Sequence, residues 1–399
     1  MKHIQRTSLL HSIQEVNNTP DIKIISGIRR SGKSQLLLDY IQWLQISENN
    51  VNVIFIDLRQ LAFESLCEYH ALHEYVEAHY LPNMHNVLCI DEVQMCSKFE
   101  LAINSLHSMQ KYDIYLTGSN AFLLSSDLAT LFTGRYILIE VLPFSFKEYI
   151  AYFGESVDLQ TQFDQYVIEG GFSGSYVYTS ATKRTQYVKD VYTTILQRDL
   201  VDKYHLADNQ VLSHLGNYLM DNVSNISSPY GISQELNRME ISTNNHTISD
   251  YIDYLCKAYV FYQVNRYDLR GKKYLQSLNK FYLADSSLRY AILGTRNMDY
   301  GRMYENLVYL ELRRRGYDIY IGKLYQKEID FVAMRRSEKI YIQVSDDISS
   351  LETKERELAP LLKIKDAYPK WLIARTRHPE YDFQGILIKD LATWLQEGF

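Results

Sequence analysis

Residues 23–38 read KIISGIRRSGKSQLLL, and Gly27, Gly32, Lys33 and Ser34 stand there at the G-x-x-x-x-G-K-[ST] spacing of a phosphate-binding loop. Ordinary composition produces that eight-residue pattern in roughly one chain in 70 of this length. The context narrows it further. Lys23, Ile24, Ile25 and Ser26 form a short β-type run, and residues 34–40 (SQLLLDY) carry a helix-like apolar stripe, so the order is strand, loop, helix. Gly27 and Gly32 permit backbone conformations that a Cβ forbids, which lets successive N–H groups face phosphate oxygens. The helix starting near Lys33 adds its positive end to the same anion. Lys33 is expected to reach the β- and γ-phosphates and the Ser34 hydroxyl to coordinate Mg2+. Ile28, Arg29, Arg30, Ser31 and Gln35 complete the stretch expected to wrap the nucleotide.

Such a loop lacks a metal anchor and a base, and residues 86–93 (NVLCIDEV) supply candidates for both. Val87 to Ile90 are continuously apolar, the pattern of a buried parallel strand. Asp91 and Glu92 end it on the side where ligands bind in open α/β sheets. Asp91 is expected to hold Mg2+ through its water shell, and Glu92 to orient and deprotonate the attacking water. An acidic pair at a strand end is otherwise a common solvated cap; the loop upstream favours the functional role. A further strand, 113–117 (DIYLT), ends in Gly118, Ser119 and Asn120. Asn120 or Ser119 is either a contact to the γ-phosphate or part of a plain turn. Arg135, before the apolar run YILIEV, is either an arginine finger toward a neighbouring subunit's nucleotide or a solvated charge.

The elements GIRRSGKS, CIDEVQ, LTGSN, LFTGRY and LPFSFKEY resemble, in that order, an AAA-type ATPase family of bacteria and archaea whose C-terminal half is a domain of unknown function. In the second half, YENLVYLELRRRGYDIYIGKLYQKEIDFVA and IYIQVS look like the terminal module of the same family. The resemblance spans nearly the whole chain. It implies an ATPase core, a winged-helix segment and a nuclease-like terminal fold, with ATP as the nucleotide.

Charged residues at 23% and hydrophobic ones at 46% are globular values, and 399 residues suffice for two or three cores. A formal net charge of -6 argues against an overall nucleic-acid coat, so any DNA contact is expected to be local. Cys67, Cys89, Cys96 and Cys256 have neither disulfide-framework nor metal spacing. The N-terminal stretch has no apolar h-region and no window approaches 18 apolar residues, which gives the expectation of a cytoplasmic protein with no membrane partner.

The expected fold class is α/β: a P-loop NTPase parallel sheet, a helical lid, a winged-helix segment and a restriction-endonuclease-like α/β domain. The core takes residues 1–142, with strands near 23–28, 52–58, 86–91, 113–117 and 136–141. Residues 143–204 form the lid and connector, with a hinge at Gly170 to Gly174; residues 205–299 form the winged helix; residues 300–399 form the nuclease-like module. The third winged-helix segment carries Asp250 and Asp253, poor material for a DNA groove, while Arg266, Arg270, Lys272 and Lys273 can clamp a phosphate backbone or simply be solvated.

In restriction-endonuclease-type folds, acids from the first helix and from two strands hold Mg2+, and a lysine two residues after the last acid assists. Glu305 and Asp330 match the first two acids, but Gln343 stands where the next acid belongs and Ser345 where the lysine belongs. The module is therefore expected to be catalytically weak or dead, with Asp330 either keeping a metal site or facing Lys327 or Arg335. Arg313, Arg314 and Arg315 are read as solvated, with contact to phosphates as the alternative. The combined reading is an ATPase working on DNA-binding or protein-binding modules, alone or as a homo-oligomer. The alternatives are a nucleotide-gated regulator with slow turnover and an ATP-regulated DNA nuclease.

Overall fold

A computed structural model describes residues 2–118, 132, 134–154, 158–206, 209–271, 273–295 and 299–398. Ser119, Asn120 and Lys272 lie outside the described residues. The chain separates into two compact units, one of His3–Leu142 and one built mainly of Pro143–Phe399.

The first unit runs α1 (Thr7–Gln14), β1 (Ile22–Ser26), α2 (Lys33–Ser47), β2 (Val51–Asp57), α3 (Tyr69–Ala78), β3 (His85–Asp91), α4 (Phe99–Ser108), β4 (Asp113–Thr117) and β5 (Tyr136–Glu140). Its five strands pair in the order β2-β3-β4-β1-β5, all parallel. Side chains alternate across a strand, so each strand feeds two cores. Ile24, Ile56, Leu88, Ile90 and Leu116 pack on one face against Leu72 and Val76 of α3 and Ile103 and Leu106 of α4. Ile25, Val87, Cys89 and Tyr115 pack on the other against Leu10 and Ile13 of α1 and Leu36, Leu37 and Tyr40 of α2. Cys89 thus serves as a small apolar residue, and burial holds its thiol well above the usual range. The one charge inside β1, Lys23, is fully buried and is neutralised by Asp113 of the adjacent β4 at 2.5 Å.

The second unit begins with three helices, α5 (Phe146–Phe153), α6 (Leu159–Glu169) and α7 (Ala181–Thr194), then a π-helical turn at Ile195–Val201. A capping box starts α5: the Ser145 hydroxyl accepts from Glu148 N at 3.2 Å and the Glu148 carboxylate accepts from Ser145 N at 2.7 Å. Two of the glycines in the stretch expected as a hinge sit at close approaches. A Cβ on Gly171 would lie 2.2 Å from the Phe144 carbonyl oxygen, and one on Gly174 would lie 2.1 Å from the Tyr187 hydroxyl.

There follow α8 (Asn209–Asp221), α9 (Pro229–Arg238), α10 (Asn245–Lys257), β6 (Phe261–Asp268), β7 (Lys273–Leu283), α11 (Ser286–Leu293), α12 (Tyr300–Arg314), β8 (Asp318–Leu324), β9 (Lys327–Arg335), β10 (Glu338–Ser345), α13 (Leu351–Leu362), β11 (Lys370–Ala374), β12 (Tyr381–Phe383), β13 (Ile386–Asp390) and α14 (Leu391–Glu397). The strands form one sheet in the order β12-β13-β11-β10-β9-β8-β6-β7. The hairpin of β6 and β7, which carries Arg266 and Arg270 from the expected winged-helix segment, therefore does not stand free. Its first strand pairs in parallel with β8, Arg266 opposite Ile321 and Asp268 opposite Lys323.

The arginine run on α12 is not solvated. Arg315 donates to Glu311 at 3.0 Å and to the Trp394 carbonyl at 2.9 Å, Arg314 donates to the Pro143 carbonyl at 3.1 Å, and Arg313 lies over the Tyr262 ring at 4.6 Å. The cause is Glu311, a carboxylate with 1% exposure on the same helix, which needs cations three and four residues on.

Candidate nucleotide site

The loop between β1 and α2 has the geometry its glycines imply. Gly27 has φ 148°, Arg30 φ 68° and Gly32, the N-cap of α2, φ 101°. At Gly27 a Cβ would sit 2.1 Å from the Val141 carbonyl oxygen, whereas at Gly32 it would meet nothing in the described chain within 4 Å. The first glycine is thus required by packing against the end of β5, and the second faces an open cradle at the helix N-terminus. Ser31 Oγ is buried in the loop with no hydrogen-bond partner among the described residues. An open cradle, an orphaned buried hydroxyl and a helix N-terminus together fit an anion with several oxygens.

Lys33 is 7% exposed, and its ammonium donates to the Gly27 and Ile28 carbonyls at 2.8 and 3.0 Å, folded back over the loop. Behind the loop, Arg6 donates through one guanidinium nitrogen to the Ser31 carbonyl at 3.2 Å and the Leu142 carbonyl at 2.8 Å. Ile28 is buried, Arg30 is exposed, and Gln35 turns along α2 to donate to Asp39 at 2.9 Å.

Parallel pairing of β3 with β4 and of β4 with β1 delivers Asp91 and Glu92 beside the loop. The Ser34 hydroxyl donates to Asp91 Oδ1 at 3.0 Å, so the two residues expected at the metal are already in contact. A hydroxyl and a carboxylate at this separation fit Mg2+ bound directly by Ser34 and through water by Asp91. Glu92 adopts a left-handed backbone, φ 59°, and its carboxylate accepts from Gln94.

Sequence reasoning missed three side chains here. Thr117, at the end of β4, donates to Asp91 Oδ1 and accepts from Glu92 N at 3.1 Å. Arg59 donates to Asp91 Oδ2 and pairs with Asp57 at 2.9 Å. Burial works against the Asp57 charge, but Arg59 and Gln60 hold its carboxyl below the usual range; the Asp57 contact and the nearby acids raise Arg59 in turn. The signal was present in the IDLR that ends β2, an acid and an arginine at the same sheet end as Asp91.

Arg135 is exposed at the other end of the sheet. Its carbonyl accepts from Ile22 N at the start of β1, about 16 Å of strand from the loop. The fold does not bring it to its own chain's site.

In the second unit, Glu305 and Asp330 do come together, but around a lysine. Lys280 of β7 is 2.9 Å from Glu305 Oε1, 2.6 Å from Glu328 Oε1 and 3.8 Å from Asp330 Oδ1. The partner expected for Asp330, Lys327 or Arg335, is thereby corrected to Lys280. Burial alone would lower the ammonium, yet Glu305, Asp330 and Glu328 hold it above the usual lysine range. Burial and then Glu305 push Asp330 well above the carboxylate range. Among the described residues, no group of three or more His, Cys, Asp or Glu is arranged to hold a metal ion.

In the first unit, fold and site together define an AAA domain built on a phosphate-binding loop. Residues 19–150 match the family model described as an AAA domain, and residues 160–299 match a domain of unknown function, DUF8612. The chain belongs to the same family as an uncharacterized protein of Haemophilus influenzae, 33% identical over 399 residues and covered to 98% in both chains. Uncharacterized protein MJ1544 of Methanocaldococcus jannaschii is 27% identical over 362 residues, 86% of this chain and 79% of its own. Among solved structures, AMPPCP-bound DnaA from Aquifex aeolicus aligns with 64% of this chain and 90% of its own at 15% identity and a TM-score of 0.32. No helix among the described residues is long and apolar enough to cross a membrane.

Proposed function

We propose that this chain is a cytoplasmic ATPase that binds ATP with Mg2+ on residues 27–35 and hydrolyses it. The observation that carries the reading is the meeting of Ser34 and Asp91 at 3.0 Å beside a loop whose second glycine faces an open cradle. Lys33 exchanges the Gly27 and Ile28 carbonyls for the β- and γ-phosphates, and backbone N–H groups of residues 28–34 hold the remaining phosphate oxygens. Mg2+, when bound, neutralises charge on the phosphates. Glu92, once released from Gln94, orients a water and takes its proton. ATP binding and hydrolysis by the purified chain test this: Lys33→Ala should abolish binding, and Glu92→Gln should keep binding while lowering turnover roughly 100- to 10,000-fold.

One observation favours the slow-turnover regulator as a second reading: both Asp91 and Glu92 have protein partners, Arg59 and Gln94. Basal hydrolysis near zero and unaltered by Glu92→Gln, with binding intact, selects that reading. Residues 205–299 are read as a winged helix whose hairpin has joined the neighbouring sheet, and residues 300–399 as the nuclease-like module. DNA as the object acted on is tested by the ATPase rate with single-stranded, duplex and branched DNA. Arg135 can serve as a finger only toward another copy of the chain, and its substitution should then lower turnover in proportion to assembly.

A further inference from the structure

The terminal module's resemblance implies a divalent metal, and the donor atoms present do not fit one. Each potential ligand is turned onto a protein partner. Glu305 Oε1 accepts from Lys280 at 2.9 Å and from the Tyr282 hydroxyl at 2.6 Å. Asp330 Oδ2 accepts from Val344 N at 2.9 Å. The Gln343 carbonyl accepts from Asp330 N at 3.4 Å, while its amide donates to Glu357 at 3.1 Å. At the centre stands the Lys280 ammonium, its side chain 4% exposed, with Glu328 as its nearest counter-charge at 2.6 Å.

We infer that Lys280 is the permanent cation of this module: its ammonium takes the place that a divalent metal would take among Glu305, Glu328 and Asp330, and the module works without metal and without cutting DNA. A divalent ion among these acids would stand within a few ångströms of a positive charge, and with its side chain 4% exposed the lysine has little water to withdraw into. An ammonium offers three donors; Glu305 and Glu328 take two of them directly, and Asp330 faces the same charge at 3.8 Å. Lys280 lies on β7, Glu305 on α12 and both Glu328 and Asp330 on β9, so the same charge ties the hairpin to the helix and sheet beside it. The inference is independent of the nucleotide site.

The test is Mn2+ binding to the full chain, followed by electron paramagnetic resonance of free Mn2+, in an Asp91→Asn background that removes the anchor in the first unit. Asp91→Asn alone should retain no Mn2+, and adding Asp330→Asn should change nothing. Adding Lys280→Ala should create a Mn2+ site where the Asp91→Asn chain has none, and Glu305→Gln should abolish it again. Mn2+ retained by Asp91→Asn and lost with Asp330→Asn overturns the inference, and so does a folded Lys280→Ala chain that gains no Mn2+. If Lys280→Ala does not fold, the comparison of Asp91→Asn with and without Asp330→Asn decides it, together with plasmid cleavage in Mn2+, which should be absent in the wild type.

Discussion

Arg59 donates through Nη2 to Asp91 Oδ2 while its Nε holds Asp57 at 2.9 Å, so the carboxylate expected to anchor the metal already carries a cation. Unlike Lys280, this cation is replaceable: the Arg59 side chain is 48% exposed and has water to move into. Only the arginine half of the pair is exposed, the Asp91 side chain being 2% exposed, yet a divalent ion with a bound triphosphate can take the place of the guanidinium. Arg59→Ala should therefore lower the Mg2+ concentration for half-maximal ATP binding several-fold, read by fluorescence of a labelled nucleotide, and lower the melting temperature of the chain without nucleotide, because a buried carboxylate loses its counter-charge. An unchanged Mg2+ requirement would show that Arg59 does not guard Asp91.

Thr117 joins the two acids of the site, giving a hydrogen bond to Asp91 and taking one from Glu92 N at 3.1 Å. It is fully buried, so an isosteric valine leaves a carboxylate lone pair and an N–H without a partner. Thr117→Val should lower stability by about 1 to 3 kcal/mol and reduce ATP turnover, while Thr117→Ser restores both. Urea denaturation and steady-state hydrolysis measure the two effects.

The first unit's strands were legible because each is a run of apolar residues stopped by a glycine or an acid at the ligand end, and the observed ranges differ from the expected ones by one or two residues at most. Glycine spacing likewise marked the loop, and the acid pair marked β3. What stayed hidden are partners brought together by the sheet: Arg59 with Asp91, Thr117 with Glu92, Arg6 with Ser31, Lys280 with Glu305. Nothing in a sequence pattern sets which ends of two strands become neighbours. The arginines at 313–315 show a milder failure, since Glu311 three and four residues before Arg314 and Arg315 was a local signal, but its burial comes from tertiary packing.

Asp285 caps α11 through Ser287 N at 2.9 Å and also accepts from Gly171 N at 2.6 Å, and burial pushes its carboxyl up to about 6 from the ordinary 3.8. A folded-state value above the unfolded one means that the folded chain holds this proton more tightly. Its contribution to stability is then fully present below about pH 4 and is lost as pH rises through about 6, a difference on the order of 3 kcal/mol. Asp285→Asn cannot titrate and should flatten the stability profile over that interval, although the lost acceptor costs about 1 kcal/mol at low pH. Urea midpoints from pH 4 to 7 check the slope; an unaltered slope assigns it to another group.

Gly27 and Gly32 share a motif but should fail differently when given a methyl group. At Gly27 the new Cβ would be 2.1 Å from the Val141 carbonyl, a clash with backbone that only movement of β5 or of the loop can relieve. Gly27→Ala should destabilise the first unit by several kcal/mol and lose nucleotide binding as a consequence of the altered loop. At Gly32 the Cβ would enter open space, so the fold bears only the left-handed strain of φ 101°, roughly 1 to 2 kcal/mol, while the methyl fills the cradle over the helix N-terminus. Gly32→Ala should stay folded by circular dichroism and still fail to bind ATP. If Gly32→Ala binds ATP as the wild type does, the cradle is not the phosphate site, because a methyl group and a phosphate oxygen cannot share that space.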